Sequence, residues 1–173
     1  MTNKGAPLCN DFRFPFSTLS RYLHRRAPDR QEIEQFEDVA LRVVGYIAAV
    51  KPQNKKPGES TNCHSSKASE TDWHIALVKD FGDGEKTSVV VETTPRLRKR
   101  HPGWTLAKVR EWEDADTPVR ITGWLLFDPE HTNHVTRYRS TLWEIHPITK
   151  IEVLDENNHW VDLESIAHRP GAE

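Results

Sequence analysis

A stretch of strict alternation beginning at Val39 constrains this chain more than any other feature. Val39, Leu41, Val43, Gly45, Ile47 and Ala49 fall on every second position. A period of two puts them on one face of an extended strand, because successive side chains in a strand point to opposite sides. The segment ends at Lys51-Pro52, where proline interrupts the ladder. Asp72 to Asp80 (DWHIALVKD) reads as a second strand, with Trp73, Ile75 and Leu77 on one face and Asp72, His74 and Ala76 on the other. FGDGEK supplies hairpin turn chemistry, and SVVVETTP is a β-branched run, so strands two and three are expected to pair antiparallel. Thr117 to Asp128 (TPVRITGWLLFD) and Arg139 to Val153 (RSTLWEIHPITKIEV) complete a set of five, the last kinked near Pro147.

Helical signals are few. Asp29 precedes a short amphipathic run to Glu37, with Glu32 three residues on as in a capping box. Thr105 is a candidate N-cap for LAKVREWEDAD, where Leu106, Val109 and Trp112 share a face. The expected organisation is an N-terminal arm with a short helix over 1–37, a barrel over 38–154 and a tail over 155–173. Within the arm, Phe12, Phe14 and Phe16 alternate around Pro15. Residues 52–69 form a long polar loop, of the kind that serves as a lid, a binding loop or a tether.

At 173 residues and 36% hydrophobic content the chain can bury one core. With 24 Lys and Arg against 26 Asp and Glu the net charge is -2, so binding to an anionic polymer must rest on a local patch. No apolar run approaches the roughly 20 residues of a membrane-crossing helix. MTNKGAPLCNDFRFPF lacks a signal-peptide h-region, which favours a cytoplasmic location, although an export signal trimmed from a parent protein would leave the same sequence. Cys9 and Cys63 are too few for a disulfide scaffold, and the adjacent Cys63 and His64 are poorly placed to ligate one ion.

Five strands with one helix between the third and fourth is the element order of the OB-fold, a mainly β Greek-key barrel that binds oligonucleotides or oligosaccharides, and residues 39–153 resemble it. Gly45 and Gly123, each inside a strand, suit the sharp coiling of a small barrel. DWHIALVKD, TGWLLFD and LWEIHPITKIEV also resemble an uncharacterised group of bacterial proteins. No established activity comes with that resemblance.

Two groups of residues stand out for chemistry. Asp72-x-His74 on strand two and Glu144-x-His146 on strand five each place an acid and an imidazole on one face. In the OB-like order strand three lies between them and carries Glu92. Together the five side chains are candidate ligands for zinc or another divalent metal, with acids left to orient imidazoles or act as a general base. Acid and imidazole neighbours on a strand also pair purely structurally. His131-x-x-His134 is a looser addition to the set. The second group is Arg96, Arg98, Lys99, Arg100 and Trp104, joined by Arg137 and Arg139, in which cations interleaved with aromatics suit single-stranded nucleic acid or another anionic polymer; Trp73 and Tyr46 extend it if they face outward. A binding module of that kind is the leading expectation, a metal-dependent hydrolase on the first group the second, and a protein-interaction domain without a small ligand the third. Trp124 and Trp143 are expected to pack the barrel.

Overall fold

The computed structural model describes residues 30–54 and 63–166. The aromatic run at Phe12 to Phe16, Cys9, the proposed cap Asp29 and the middle of the 52–69 loop lie outside the described residues. A short helix α1 (Arg30–Phe36) leads into β1 (Ala40–Pro52), followed by β2 (Trp73–Val78), β3 (Val89–Thr93), the helical turns α2 (Pro95–Arg98) and α3 (Leu106–Arg110), β4 (Val119–Phe127), β5 (Trp143–Leu154) and a short β6 (Trp160–Asp162).

The strands hydrogen-bond in the order β3-β2-β1-β4-β5-β6, and β3 also pairs with β5. That extra pairing closes five strands into a barrel, with β6 added outside the circuit. All neighbours run antiparallel except β3 and β5, which are parallel. Closure removes the free edges that an open sheet of this size would expose.

The interior follows from the alternation. Leu41, Val43 and Ile47 of β1, Ile75 and Leu77 of β2, Val89 and Val91 of β3, Val119 and Ile121 of β4, and Ile145, Ile148 and Ile151 of β5 are buried together. Each such side chain contributes about 1.5–3 kcal/mol relative to remaining exposed. Ala48 is an extra residue in β1: Ile47 pairs with Leu77 and Ala49 with Ala76, so the ladder shifts there. This bulge breaks the phase of two and lets Ala49 and Val50 both be buried.

Both strand glycines mark close backbone approaches. A Cβ on Gly45 would collide with the Val78 carbonyl oxygen, and one on Gly123 would stand 2.6 Å from Ile145 Cγ2 and 2.7 Å from the Pro147 carbonyl oxygen. No larger residue fits either crossing without moving backbone. Pairing of β4 with β5 is irregular on both sides of Gly123, opposite the Pro147 region.

The segment after β3 differs from a single amphipathic helix. Thr94 caps α2 and Thr105 caps α3, each accepting a backbone N–H with its side-chain oxygen. α3 stops at Arg110, and Trp112 reaches the core from the following turn, where Glu113 bridges to Ile47. The residues beyond 155 also carry structure that their composition conceals: β6 pairs with β5, and Leu163 is fully buried. Trp143 is buried and Trp124 half-buried.

Candidate metal centre

Register brings the site together. His74 on β2 stands opposite Glu92 on β3, and Val90 stands opposite Glu144 across the parallel pair β3 and β5. Two residues further along both parallel strands come Glu92 and His146, returned to the same face by the pleat. Their neighbours Ile75, Val91 and Ile145 fill the barrel interior, so the polar residues lie on the outside of the wall. They are nevertheless enclosed, since Glu92 and Glu144 are only 4% and 5% exposed.

The enclosure comes from the segment between β4 and β5. Asp128 caps the 3-10 turn Pro129–His134 by accepting from Glu130 N–H. Beyond it the chain returns through Arg139, whose side chain is buried and fully committed: Nε donates to the Thr141 carbonyl at 2.5 Å, Nη1 to Asp128 Oδ2 at 2.8 Å, and Nη2 to Glu144 Oε2 at 3.2 Å. Ser140 anchors the segment to the start of β3 by donating its N–H to the Ser88 carbonyl at 2.7 Å.

Glu92 is the hub of the cluster. Its Oε1 lies 3.2 Å from His74 Nε2 and its Oε2 lies 3.6 Å from His146 Nδ1, while Glu144 Oε1 stands 3.9 Å from the same His146 nitrogen. The two imidazoles therefore flank one carboxylate instead of meeting at a point. Among the described residues, the group able to hold an ion is Asp72, Glu92 and His146, with one ligand atom from each and all three within 4.8 Å of one another. Ligands about 2.0–2.2 Å from a tetrahedral zinc stand roughly 3.3 Å apart, so an ion would draw these three inward by small side-chain movements. His74 would then fix the orientation of Glu92, and Glu144 faces His146.

The two acids that Arg139 joins are shifted in opposite directions. Burial and the neighbouring Glu92 push the Glu144 carboxyl up to about 7, against the pull of Arg139. Asp128 behaves in the opposite way: burial alone would raise it, but the hydrogen bond and charge of His131, the Glu130 N–H and Arg139 hold it below the usual carboxylate range. His131 Nδ1 sits 2.6 Å from Asp128 Oδ2, and its ring meets that of His74 edge-on at 6.4 Å. His134 follows at 4.8 Å from the His131 ring, and burial together with His131 and Arg139 lowers its proton affinity. Thus His131 and His134 border the cluster without joining the three-residue group.

The cationic segment divides between surface and interior. Arg96, Lys99, Arg100 and Arg137 are exposed, whereas Arg98, Trp104 and Arg139 are buried. Arg98 is drawn inward because it donates to the Thr93 and Thr71 carbonyls at 2.6 and 2.5 Å and stacks 4.0 Å above the ring of buried Trp73. Burial lowers its pKa to about 10, with Asp72 acting in the opposite direction. Trp104 stacks on His101 at 4.1 Å, where Glu164 of the C-terminal segment binds both His101 and the Gly103 N–H. These three residues support the fold and are not available to stack on or neutralise a strand of nucleic acid. Trp73 is likewise enclosed, its Nε1 donating to the Ala68 carbonyl at 2.6 Å, while Tyr46 is half-buried beside Phe81. Cys63 and His64 are exposed and lie outside the three-residue group.

Sequence spacing identifies the acid and imidazole pairs, but the contribution of Asp128 and Arg139 escapes it. Asp128-x-x-His131 was the available signal, an acid three residues before an imidazole at the start of a turn.

No protein-family model matches the chain. No curated protein matches it. Among solved structures it is similar to the OBody AM2EP06 bound to hen egg-white lysozyme, with 15% identity, coverage of 76% of this chain and 98% of that one, and a TM-score of 0.41.

Proposed function

We propose that this protein is a metal-dependent hydrolase whose single divalent ion is held by Asp72, Glu92 and His146 on the outer wall of an OB-like Greek-key barrel. The OB-like reading is supported by the circuit β1-β2-β3-β5-β4 and by helical turns in the chain between β3 and β4. The observation that carries the functional reading is the convergence of three ligating atoms within 4.8 Å from three separate stretches of chain. Two carboxylates and an imidazole neutralise a dication and leave coordination positions for water and substrate, a donor set that suits zinc, manganese or iron.

Hydrolysis needs an activated water and a place for its protons. A divalent ion held by Asp72, Glu92 and His146 would polarise a bound water; hydrolysis of an ester would then form a bond from that water's oxygen to the electrophilic carbon or phosphorus, break the bond to the leaving oxygen and deliver one water proton to it. Glu144, whose Oε1 lies 3.9 Å from His146 Nδ1, is the carboxylate nearest the group that could accept and pass on that proton.

This reading draws on all five acid and imidazole residues of the sequence pattern. Nucleic-acid binding retains four of its seven residues at the surface, Arg96, Lys99, Arg100 and Arg137, and none of these lies among the ligand group. The test is hydrolysis of 4-nitrophenyl phosphate and 4-nitrophenyl acetate by protein stripped with chelator and then reloaded with zinc or manganese. Turnover should appear only on reloading and fall by at least about 100-fold in Glu92→Gln, the scale on which a single catalytic group acts. Turnover indifferent to both treatments would refute the proposal.

A further inference from the structure

The ladder between β2 and β3 stops just short of Asp72. Its last pair is Trp73 with Thr93, so Glu92 lies inside the ladder while Asp72 precedes the first residue of β2. A side chain continues the join. Thr94 and Pro95 open α2 as N-cap and first helical residue, and the turn brings Arg98 back to the end of β3. There its Nη1 donates to the Thr93 carbonyl at 2.6 Å and its Nη2 to the Thr71 carbonyl at 2.5 Å. One guanidinium thus spans the residue after Glu92 and the residue before Asp72.

The surroundings of this bracket hold it in place. The guanidinium carbon lies 4.0 Å from the centre of the Trp73 ring, whose indole N–H donates to the Ala68 carbonyl at 2.6 Å, and a longer contact of 3.4 Å runs from Nη2 to the Ser69 carbonyl. Thr71 and Thr93 are fully buried, yet neither hydroxyl oxygen has a hydrogen-bond partner among the described residues. It is through their carbonyls that Arg98 joins them. On the other side Gln53 N–H donates to the Asp72 carbonyl at 2.8 Å, so the backbone around Asp72 is tied to the end of β1 and, through Arg98, to the end of β3. A planar fork suits this task, because the directions of its N–H groups are set before any bond forms.

We propose that Arg98 is a positioning residue for the divalent ion, setting the separation of the Asp72 and Glu92 carboxylates by joining the backbone beside each. The inference rests on the metal-site reading above. Ligand atoms of Asp72, Glu92 and His146 lie within 4.8 Å of one another, and closing them around an ion takes only small side-chain movements when their backbones are already in place. Such a site tolerates about 0.5 Å of error in the placement of its ligands. His146 is placed independently, by the parallel pairing of β3 with β5. Loss of the bracket therefore displaces Asp72 relative to the other two ligands and alters the coordination of the ion, an effect distinct from a loss of stability.

The full chain, Arg98→Met and Arg98→Lys test this, with Arg120→Ala as a control that removes a guanidinium from its ion pair with Glu152, which is none of the three ligands. Zinc affinity is measured by calorimetry, coordination by the visible absorption of the cobalt(II)-loaded protein, and stability by chemical unfolding in chelator. Zinc affinity should fall about ten- to a hundredfold in both Arg98 variants, the range for groups that orient metal ligands, and the cobalt spectrum should change with it. Neither a thioether nor a single ammonium spans two carbonyls. Lysine keeps the charge and a donor, so Arg98→Lys carries the test if Arg98→Met does not fold. Arg120→Ala should retain the wild-type zinc affinity and cobalt spectrum whatever its stability. A folded Arg98 variant with wild-type affinity and spectrum would overturn the bracket and leave the metal site standing. An equal loss of affinity in Arg120→Ala would also overturn it, by showing that ion binding follows general stability. Wild-type protein that binds no zinc would overturn the metal-site reading and, with it, the role of Arg98.

Discussion

Arg139→Ala is expected to lower the free energy of unfolding by about 3–5 kcal/mol, the cost of removing one partner from a buried ionic network. The wild-type guanidinium is 2% exposed and is shared between Asp128 and Glu144, with further donation to the Thr141 carbonyl. Truncation leaves two enclosed carboxylates without their cation and one carbonyl without its donor. Lysine does not replace it, because a single ammonium cannot fork between partners lying in different directions. Chemical unfolding of the wild type, Arg139→Ala and the double variant Arg139→Ala with Glu144→Gln measures the effect. The double variant should recover part of the loss, since it removes one of the stranded charges. A loss below about 1 kcal/mol in the single variant would show that the segment over the site is not held by this network.

The second large effect is a dependence of stability on pH. Glu144 has a folded-state pKa of about 7 against an ordinary 4.5, because burial and Glu92 oppose its ionisation. Between those values the folded metal-free protein binds more protons at this position than the unfolded chain does. Stability must then fall as pH rises from about 4.5 to 7, by at most about 3 kcal/mol from this group, and stay at the lower level above that window. Glu144→Gln, which keeps the shape and removes the charge, should flatten the profile and be the more stable protein at pH 8. Unfolding curves collected in chelator from pH 5 to 8 decide the matter, and a variant profile parallel to that of the wild type would contradict it. Glu152 supplies an opposite internal reference, because hydrogen bonds from Arg120 and Lys150 hold it at about 2. Its contribution is complete above the ordinary carboxylate range and is lost only as pH falls towards that value, outside the window tested.

Much of the barrel is legible in the chain because alternation is a local property. β1 buries Leu41, Val43 and Ile47 as its period demands, and the β2 and β3 hairpin follows from FGDGEK between the alternating DWHIALVKD and the β-branched SVVVETTP. The grouping of Glu92 with His74 and His146 was also accessible, since it needs only the pleat and a neighbour relation between β2, β3 and β5. Three features lie beyond such reasoning. The bulge at Ala48 is invisible to periodicity, because Ala48, Ala49 and Val50 are all apolar. Arg98 and Arg139 read as solvated cations in a polar stretch, and only tertiary contacts give them interior carbonyls and carboxylates to bind. Leu163 sits in a polar tail with no partner of matching period, yet the 3-10 turn around it places it in the core.

The nature of the acid and imidazole cluster is the central claim, and ion binding tests it most directly. Chelator-stripped protein titrated calorimetrically with zinc, with elemental analysis of the dialysed complex, should give one ion per chain. Affinity should fall at least tenfold in Glu92→Gln and in His146→Ala, and less in His74→Ala, because His74 orients Glu92 without joining the ligand group. Binding of no ion, or of an ion whose affinity is unchanged by Glu92→Gln and His146→Ala, would contradict the account.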